Sequence, residues 1–135
     1  MTEQRVVERK LWDYLKNVER IRELRARIGG LMSMHGHEYK THVLNGVSDP
    51  VSEIVCLIMK MEATMLRVER EVRAVEELWD KLDMTDARMN QMRQVLEYRY
   101  ILHMKAEAVM RKAGITKATY WRRVHSLLRM ATKYI

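Results

Sequence analysis

Residues 105–133, KAEAVMRKAGITKATYWRRVHSLLRMATK, decide the fold, and the second half of this stretch carries most of the signal. Its apolar residues recur at i, i+4, i+7, i+8 and i+11, which predicts a helix with one buried face. They are Tyr120, Val124, Leu127, Leu128 and Ala131. The opposite face carries lysine, arginine, histidine and tryptophan side chains, and no carboxylate follows residue 108. Solvated helices normally mix charge signs, so this face is typical of a helix that binds nucleic acid.

The overall composition favours long helices. The 135 residues include one proline, five glycines and no phenylalanine, while helix-forming Met, Leu, Arg, Glu and Lys are abundant. This length suits one domain, or one small module joined to an extended helical part. We therefore predict an all-α fold.

Positive charge is concentrated in the C-terminal third. Residues 1–87 contain 14 Lys/Arg and 16 Asp/Glu, whereas residues 88–135 contain 11 Lys/Arg and only Glu97 and Glu107 as acids. The formal net charge of +7 therefore conceals a nearly neutral segment followed by a strongly basic one. A polyanionic partner is implied, with DNA, RNA and an anionic membrane surface as the candidates.

Cysteine usage and hydropathy indicate the compartment. Cys56 is the single cysteine, lies in an apolar helical pattern and has no intramolecular disulfide partner. No run approaches the ~20 apolar residues that span a bilayer, and the first ten residues lack a hydrophobic signal region. We expect a soluble protein in a reducing cytoplasm.

The N-terminal helix is predicted over residues 3–28. Its apolar residues alternate at steps of three and four, and Gly29-Gly30 is expected to end it through a left-handed C-cap. The apolar positions are Val7, Leu11, Tyr14, Val18, Ile21 and Ile28, with Leu24 beside the seam. Residues 30–48 show no period and hold His35, His37 and His42. Because no recognised zinc spacing accompanies these histidines, we interpret the stretch as a polar connection.

The second helix is predicted to begin at Ser48-Asp49-Pro50, where a capping side chain precedes a first-turn proline. Apolar residues then follow at strict three- and four-residue steps to residue 82, which predicts a coiled-coil seam. They are Val51, Ile54, Ile58, Met61, Met65, Val68, Val72, Val75, Trp79 and Leu82. Such a helix needs a partner, either the first helix folded back as an antiparallel hairpin or a second copy of the chain.

The first helix is too short by pattern to cover residues 72–82. We therefore expect a homo-oligomer formed through the coiled-coil helices, with packing of the basic module as the other way to cover this face. We therefore divide the chain into two predicted domains. Residues 1–84 form a helical hairpin for oligomerisation and spacing, and residues 85–135 form a DNA-binding module.

A helix-turn-helix is predicted in the C-terminal module. Asp83–Asp86 ends the seam, and Thr85 or Asp86 caps a third helix over residues 87–102. A turn at His103-Met104, a short helix over residues 105–113 and a turn at Gly114-Ile115 then lead to the last helix, which Thr116 caps. In this motif the start of the last helix enters the major groove.

This geometry separates two sets of DNA contacts. The expected base contacts are Lys117, Ala118, Trp121, Arg122 and His125. The expected phosphate contacts, which position the protein without reading sequence, are Arg111, Lys112, Thr116, Arg123, Ser126 and Arg129.

Residues 95–131, VLEYRYILHMKAEAVMRKAGITKATYWRRVHSLLRMA, resemble region four of bacterial sigma factors. The layout of the whole chain is similar to phage late transcriptional regulators of the ArpU/RinA type, which place a helical hairpin before a sigma-like module. The resemblance implies an activator of phage late-gene transcription that binds double-stranded DNA and acts with host RNA polymerase. His103, Lys105 and Met110 depart from the sigma pattern, which has glycine, a capping residue and a small residue at these positions.

Three other functions compete with this interpretation. A small terminase subunit would also bind phage DNA and oligomerise through helices, but it usually carries its DNA module first. A membrane-surface role would require the apolar face of the last helix to be exposed, whereas the motif buries it. An enzyme is disfavoured because the sequence has no identifiable catalytic set or phosphate-binding glycine loop, and we expect no metal and no cofactor.

Overall fold

The described part of the chain is helical throughout. The computed structural model describes residues 3–45 and 52–135, and describes side chains for residues 3–34 and 53–135. The α-helices are α1 (Glu3–Trp12), α2 (Tyr14–Asn45), α3 (Ser52–Lys81), α4 (Ala87–Val95), α5 (Ala106–Ala113) and α6 (Lys117–Tyr134). A π-helix over Leu96–Ile101 directly follows α4. These residues contain no strand, so the predicted all-α fold is confirmed.

The first helical region is longer than the sequence predicts. A one-residue interruption at Asp13 separates α1 from α2, although the Asp13 N–H still donates to the Arg9 carbonyl oxygen at 2.9 Å. The expected end at Gly29-Gly30 is wrong, because α2 continues to Asn45 and neither glycine has a positive φ. Most of the stretch that we interpreted as a polar connection is therefore helix.

The glycine pair weakens α2 without ending it. A glycine inside a helix costs about 1 kcal/mol relative to alanine, and burial of Ile21 and Leu24 on the same helix offsets this cost. The side chains of His35, His37 and His42 lie outside the described residues, as does the cap predicted at residues 48–50.

The buried face of α3 follows most of the predicted seam. Ile58, Met61, Val68, Val72, Val75 and Leu82 are buried, together with Val55 and Leu78. Ile54, Met65 and Trp79 are half-buried instead. Burial moves from Trp79 to Leu78 because the end of α3 packs into a core that it shares with the C-terminal helices.

Two compact units divide the chain, one formed by Met1–Lys16 and Glu71–Ile135 and the other by Asn17–Arg70. In the second unit, the guanidinium of Arg25 donates to Glu69 Oε1 at 3.4 Å. Arg25 lies about twenty residues before the end of α2, and Glu69 lies about as far after the start of α3. This pairing is that of an antiparallel helical hairpin.

The first unit has one hydrophobic core, to which α1, α3, α4, the π-helix, α5 and α6 all contribute. Its buried members are Val7, Leu11, Val75, Leu78, Leu82, Met92, Val95, Leu96, Tyr100, Val109, Tyr120, Val124, Leu127, Leu128 and Ala131. The end of α3 therefore shares a core with the C-terminal helices, and this is the face that we expected either a second copy of the chain or the basic module to cover. The functional division at residues 84 and 85 stays a prediction.

The N-terminal helix is part of this core, which the sequence did not indicate. Val7 and Leu11 are buried among residues of the C-terminal helices, and α1 packs against both α6 and the π-helix. The Tyr100 hydroxyl donates to Glu8 Oε2 at 2.6 Å. Burial, followed by this hydrogen bond to the carboxylate, raises the pKa of Tyr100 above its ordinary value of 10.0.

Candidate nucleic-acid interface

The helix-turn-helix forms at the predicted positions. Asp86 caps α4, since its Oδ1 accepts from the Met89 N–H at 3.0 Å. Gly114 ends α5 with φ 67° and ψ 38°, the left-handed conformation that glycine adopts without steric cost. Thr116 begins α6, and its hydroxyl oxygen accepts from the Thr119 N–H at 3.3 Å. The turn between α5 and α6 is thus fixed by a C-cap and an N-cap.

The start of the motif differs in detail from the prediction. The helix predicted over residues 87–102 ends as regular α-helix at Val95, and a π-helix continues it to Ile101. Its i to i−5 hydrogen bonding admits one extra residue into the turn, a feature often found at functional sites. His103 follows with φ 57°, and Lys105 caps α5 without a side-chain hydrogen bond.

The apolar side of α6 is buried as the spacing predicts. Tyr120, Val124, Leu127, Leu128 and Ala131 all belong to the core, together with Val109 of α5. Burial raises the pKa of Tyr120 above 10.0. An amphipathic membrane helix would expose this face, whereas it is buried here.

All five predicted base-contact residues are exposed on α6. They are Lys117, Ala118, Trp121, Arg122 and His125, which we call the basic face together with the exposed Arg129. The five predicted base contacts are one, three or four residues apart, which places them on adjacent turns of the first half of α6. Trp121 keeps 46% of its surface exposed, and its ring packs edge-on against Tyr120 with centroids 5.1 Å apart.

The six predicted phosphate-contact residues fall into two groups. Arg111, Lys112 and Arg129 are exposed, although the ammonium of Lys112 lies 4.9 Å from the centre of the Tyr98 ring. The other three have structural contacts or are partly covered. Arg123 Nε donates to Gln91 Oε1 at 2.7 Å, Thr116 caps α6, and Ser126 is half-buried.

Lys133 extends the basic face, and our sequence interpretation did not include it. It is exposed one turn beyond Arg129, and the two line a shallow depression with Glu3, Gln4 and Thr132. The i+4 spacing from Arg129 was the available signal. The nearby acid, Glu3, comes from α1, which sequence alone did not place beside α6.

The cations of α6 have no acidic partner within salt-bridge distance among the described residues. The ion pairs found there join Arg9 to Asp13, Arg22 to Glu19 and Arg25 to Glu69, all outside α5 and α6. A surface with many exposed cations attracts a polyanion and raises its local concentration. Each phosphate contact that then forms also releases a condensed counterion, which favours binding.

Three other kinds of site bear on the function: a metal site, the single cysteine and a membrane-spanning helix. Within the described residues, no group of three or more His, Cys, Asp or Glu side chains is arranged to hold a metal ion. Cys56 is exposed on α3. Over the same residues, no helix has both the length and the apolar character to cross a bilayer.

Comparison with known proteins gives no relative: no family model, curated protein or solved structure matches this chain.

Proposed function

We propose that this protein is a sequence-specific double-stranded DNA-binding transcriptional regulator. The observation that carries the proposal is the basic face of α6. This face presents lysine, arginine, tryptophan and histidine side chains together on the second helix of a capped helix-turn-helix. In such motifs the N-terminal half of the second helix contacts base edges in the major groove. We assign base contacts to Lys117, Trp121, Arg122 and His125, and a van der Waals contact to Ala118.

The proposed phosphate contacts come from exposed cations and from residues that also have a structural contact. Arg111 and Lys112 of α5 and Arg129 of α6 are exposed, so we assign phosphate contacts to them and add Lys133. Arg123 is held by Gln91 of α4, so we propose that it orients α6 and contacts a phosphate only from that fixed position. Thr116 contributes as the helix cap, and its backbone N–H lies at a helix start suited to a phosphate.

The regulatory role rests on the resemblance of residues 95–131 to sigma region four. On this basis we propose that the protein activates phage late-gene transcription with host RNA polymerase. A small terminase subunit is the alternative function, and no described contact favours it. Because the end of α3 is covered within the chain, the proposal does not require an oligomer.

DNase footprinting over the parent genome tests the proposal. We expect a protected site upstream of late genes, with affinity that falls steeply as salt increases. Absence of protection there, combined with ring-shaped assemblies on packaging sites, would replace the regulator by a terminase subunit. Equal protection of all sequences would reject sequence-specific binding.

A further inference from the structure

An acidic groove of about 520 Å³ lies in the unit that contains the helix-turn-helix. Residues from the start of α2, the end of α3 and the π-helix line it, and α6 contributes none of them. The lining residues are Tyr14, Val75, Glu76, Trp79, Asp80, Glu97, Ile101 and Leu102, which we call the acidic groove.

The apolar part of the groove is only partly covered. Val75 is buried beneath it, while Trp79 and Ile101 are half-buried and Leu102 is 52% exposed. Leu102 follows the π-helix directly, at the turn that precedes α5. An exposed leucine beside tryptophan and isoleucine offers a site where another apolar side chain can remove surface from water.

Carboxylates flank this apolar part from two elements. Glu76 and Asp80 stand one turn apart on α3, and Glu97 comes from the π-helix. Like charges one turn apart weaken a helix unless cations offset them, and the described lining residues include no cation. The acids are not arranged to hold a metal ion either. Three acids and no cation are therefore among the described residues that line the groove, in a protein whose formal net charge is +7. One cation stands next to this lining, because the guanidinium of Arg93 lies 4.1 Å from the centre of the Trp79 ring.

We propose that the acidic groove binds a segment of a partner protein in which a bulky apolar side chain is flanked by lysines or arginines. The apolar side chain would pack against Trp79, Ile101 and Leu102. The flanking cations would pair with Asp80 on one side and Glu97 on the other. Glu76 adds a third negative charge to the groove. Its position is fixed, because its Oε2 accepts a hydrogen bond from the Tyr14 hydroxyl at 3.1 Å.

Charge complementarity favours this occupant over a second copy of the chain. Most of the exposed cations of the C-terminal module lie on α5 and α6, where the proposed function assigns them to DNA. A helical segment with cations three or four residues on either side of its apolar anchor matches acids that lie on two separate elements. The choice of a partner protein over a second copy of the chain rests on the proposed function in this respect, although no residue of the acidic groove belongs to the basic face.

Fluorescence anisotropy with labelled synthetic peptides tests the proposal on the full chain. The first peptide is helical, with leucine anchors flanked by lysine and arginine. The second replaces the cations by glutamine, and the third replaces the leucines by serine. We expect saturable binding of the first alone, weakening as salt increases.

Paired variants locate the binding. Asp80→Asn combined with Glu97→Gln should weaken binding of the first peptide by roughly threefold to tenfold, the range for two partly exposed charge pairs. Leu102→Ser should also weaken it. Glu77→Gln is the matched control, because Glu77 is exposed beside Glu76 but does not line the groove. Circular dichroism verifies that each variant is folded.

Three results would overturn the proposal. They are equal binding of the lysine/arginine and glutamine peptides, a loss in Glu77→Gln as large as in the paired variant, and a self-associated wild type that Leu102→Ser makes monomeric. The last result would assign the groove to a second copy of the chain. Duplex binding is measured separately, so its failure is distinguishable from failure of peptide binding.

Discussion

The indole ring of Trp12 stacks face to face on the imidazole of His103, with ring centroids 3.8 Å apart and planes 3° from parallel. His103 Nε2 also lies 2.7 Å from the Trp12 carbonyl oxygen, and the guanidinium of Arg99 lies 5.1 Å from the centre of the indole. The contact joins the end of α1 to the turn before α5. The stack and the hydrogen bond hold His103 in its left-handed conformation, with φ 57°.

We predict an energetic coupling between Trp12 and His103. His103→Gly relieves the left-handed conformation by about 1 kcal/mol. It also loses the stack and the hydrogen bond to the Trp12 carbonyl oxygen, each about 1 kcal/mol, so it should destabilise the wild type by about 1 kcal/mol. In a Trp12→Ala background the stack is already absent while the backbone carbonyl remains, so the same change should be nearly neutral. Urea unfolding of the four proteins measures this cycle. An identical effect of His103→Gly in both backgrounds would show that the stack contributes nothing.

Gly114→Ala should destabilise the protein by about 1 to 2 kcal/mol. A Cβ added at Gly114 meets no atom within 4 Å, so the cost comes from its φ of 67° alone. Thermal unfolding measures it, and Gly114→Asn should recover part of the loss because asparagine tolerates this conformation better. A neutral Gly114→Ala would contradict the left-handed C-cap.

Gly29→Ala should have the opposite sign and stabilise by about 0.4 to 1 kcal/mol. Gly29 lies inside α2, and a Cβ added there also meets no atom within 4 Å. Alanine therefore restricts the unfolded chain and favours the helix without a clash. If α2 ended at this glycine pair through a left-handed cap, as its sequence alone indicates, Gly29→Ala would destabilise instead.

Alkaline pH should destabilise the protein through buried tyrosines. The pKa values of Tyr100, Tyr14 and Tyr120 are raised above 10.0, primarily by burial. The folded protein retains these protons while the unfolded chain releases them, so their stabilisation is complete below about pH 10 and is lost as pH rises above it. The urea midpoint should fall progressively from about pH 10 upward.

Tyr100→Phe separates this effect from general alkaline unfolding. It removes the hydrogen bond to Glu8 and should cost about 1 to 2 kcal/mol at neutral pH, yet its stability should fall less steeply above about pH 10. Tyr134→Phe, at an exposed position, is the matched control and should retain the wild-type slope. A wild-type slope in Tyr100→Phe would show that Tyr100 does not contribute.

Much of the C-terminal module was predictable because local signals agree there. Asp86, Gly114 and Thr116 each have the residue type that their capping position requires, and the apolar period of α6 selects its buried face without ambiguity. The all-α fold and most of the α3 seam followed for the same reason. These features depend on residues close in sequence.

The features that the sequence did not predict depend on contacts between distant residues. The packing of α1 against the C-terminal helices uses pairs such as Glu8 with Tyr100 and Trp12 with His103, which no local period indicates. The π-helix and the placement of Arg123 beside Gln91 are of the same kind. At Gly29-Gly30 the local signal was misleading, because the surrounding helix outweighed the low helix propensity of two glycines.

The central claim is that the basic face of α6 reads DNA sequence, and two arginines on it have different predicted roles. Arg122→Ala should weaken binding to the footprinted duplex by ~1 to 3 kcal/mol and reduce discrimination against a scrambled duplex. Arg129→Ala should weaken binding to both duplexes alike, because a phosphate contact carries no sequence information. Arg73→Ala removes an exposed arginine from α3 as a matched charge control and should change neither affinity.

The most direct measurement is therefore the ratio of affinities for the footprinted and scrambled duplexes, determined by fluorescence anisotropy for the wild type and these three variants. We predict a ratio that falls in Arg122→Ala and is preserved in Arg129→Ala and Arg73→Ala. A ratio that falls equally in Arg122→Ala and Arg129→Ala, or that stays unchanged in all three variants, would contradict the account.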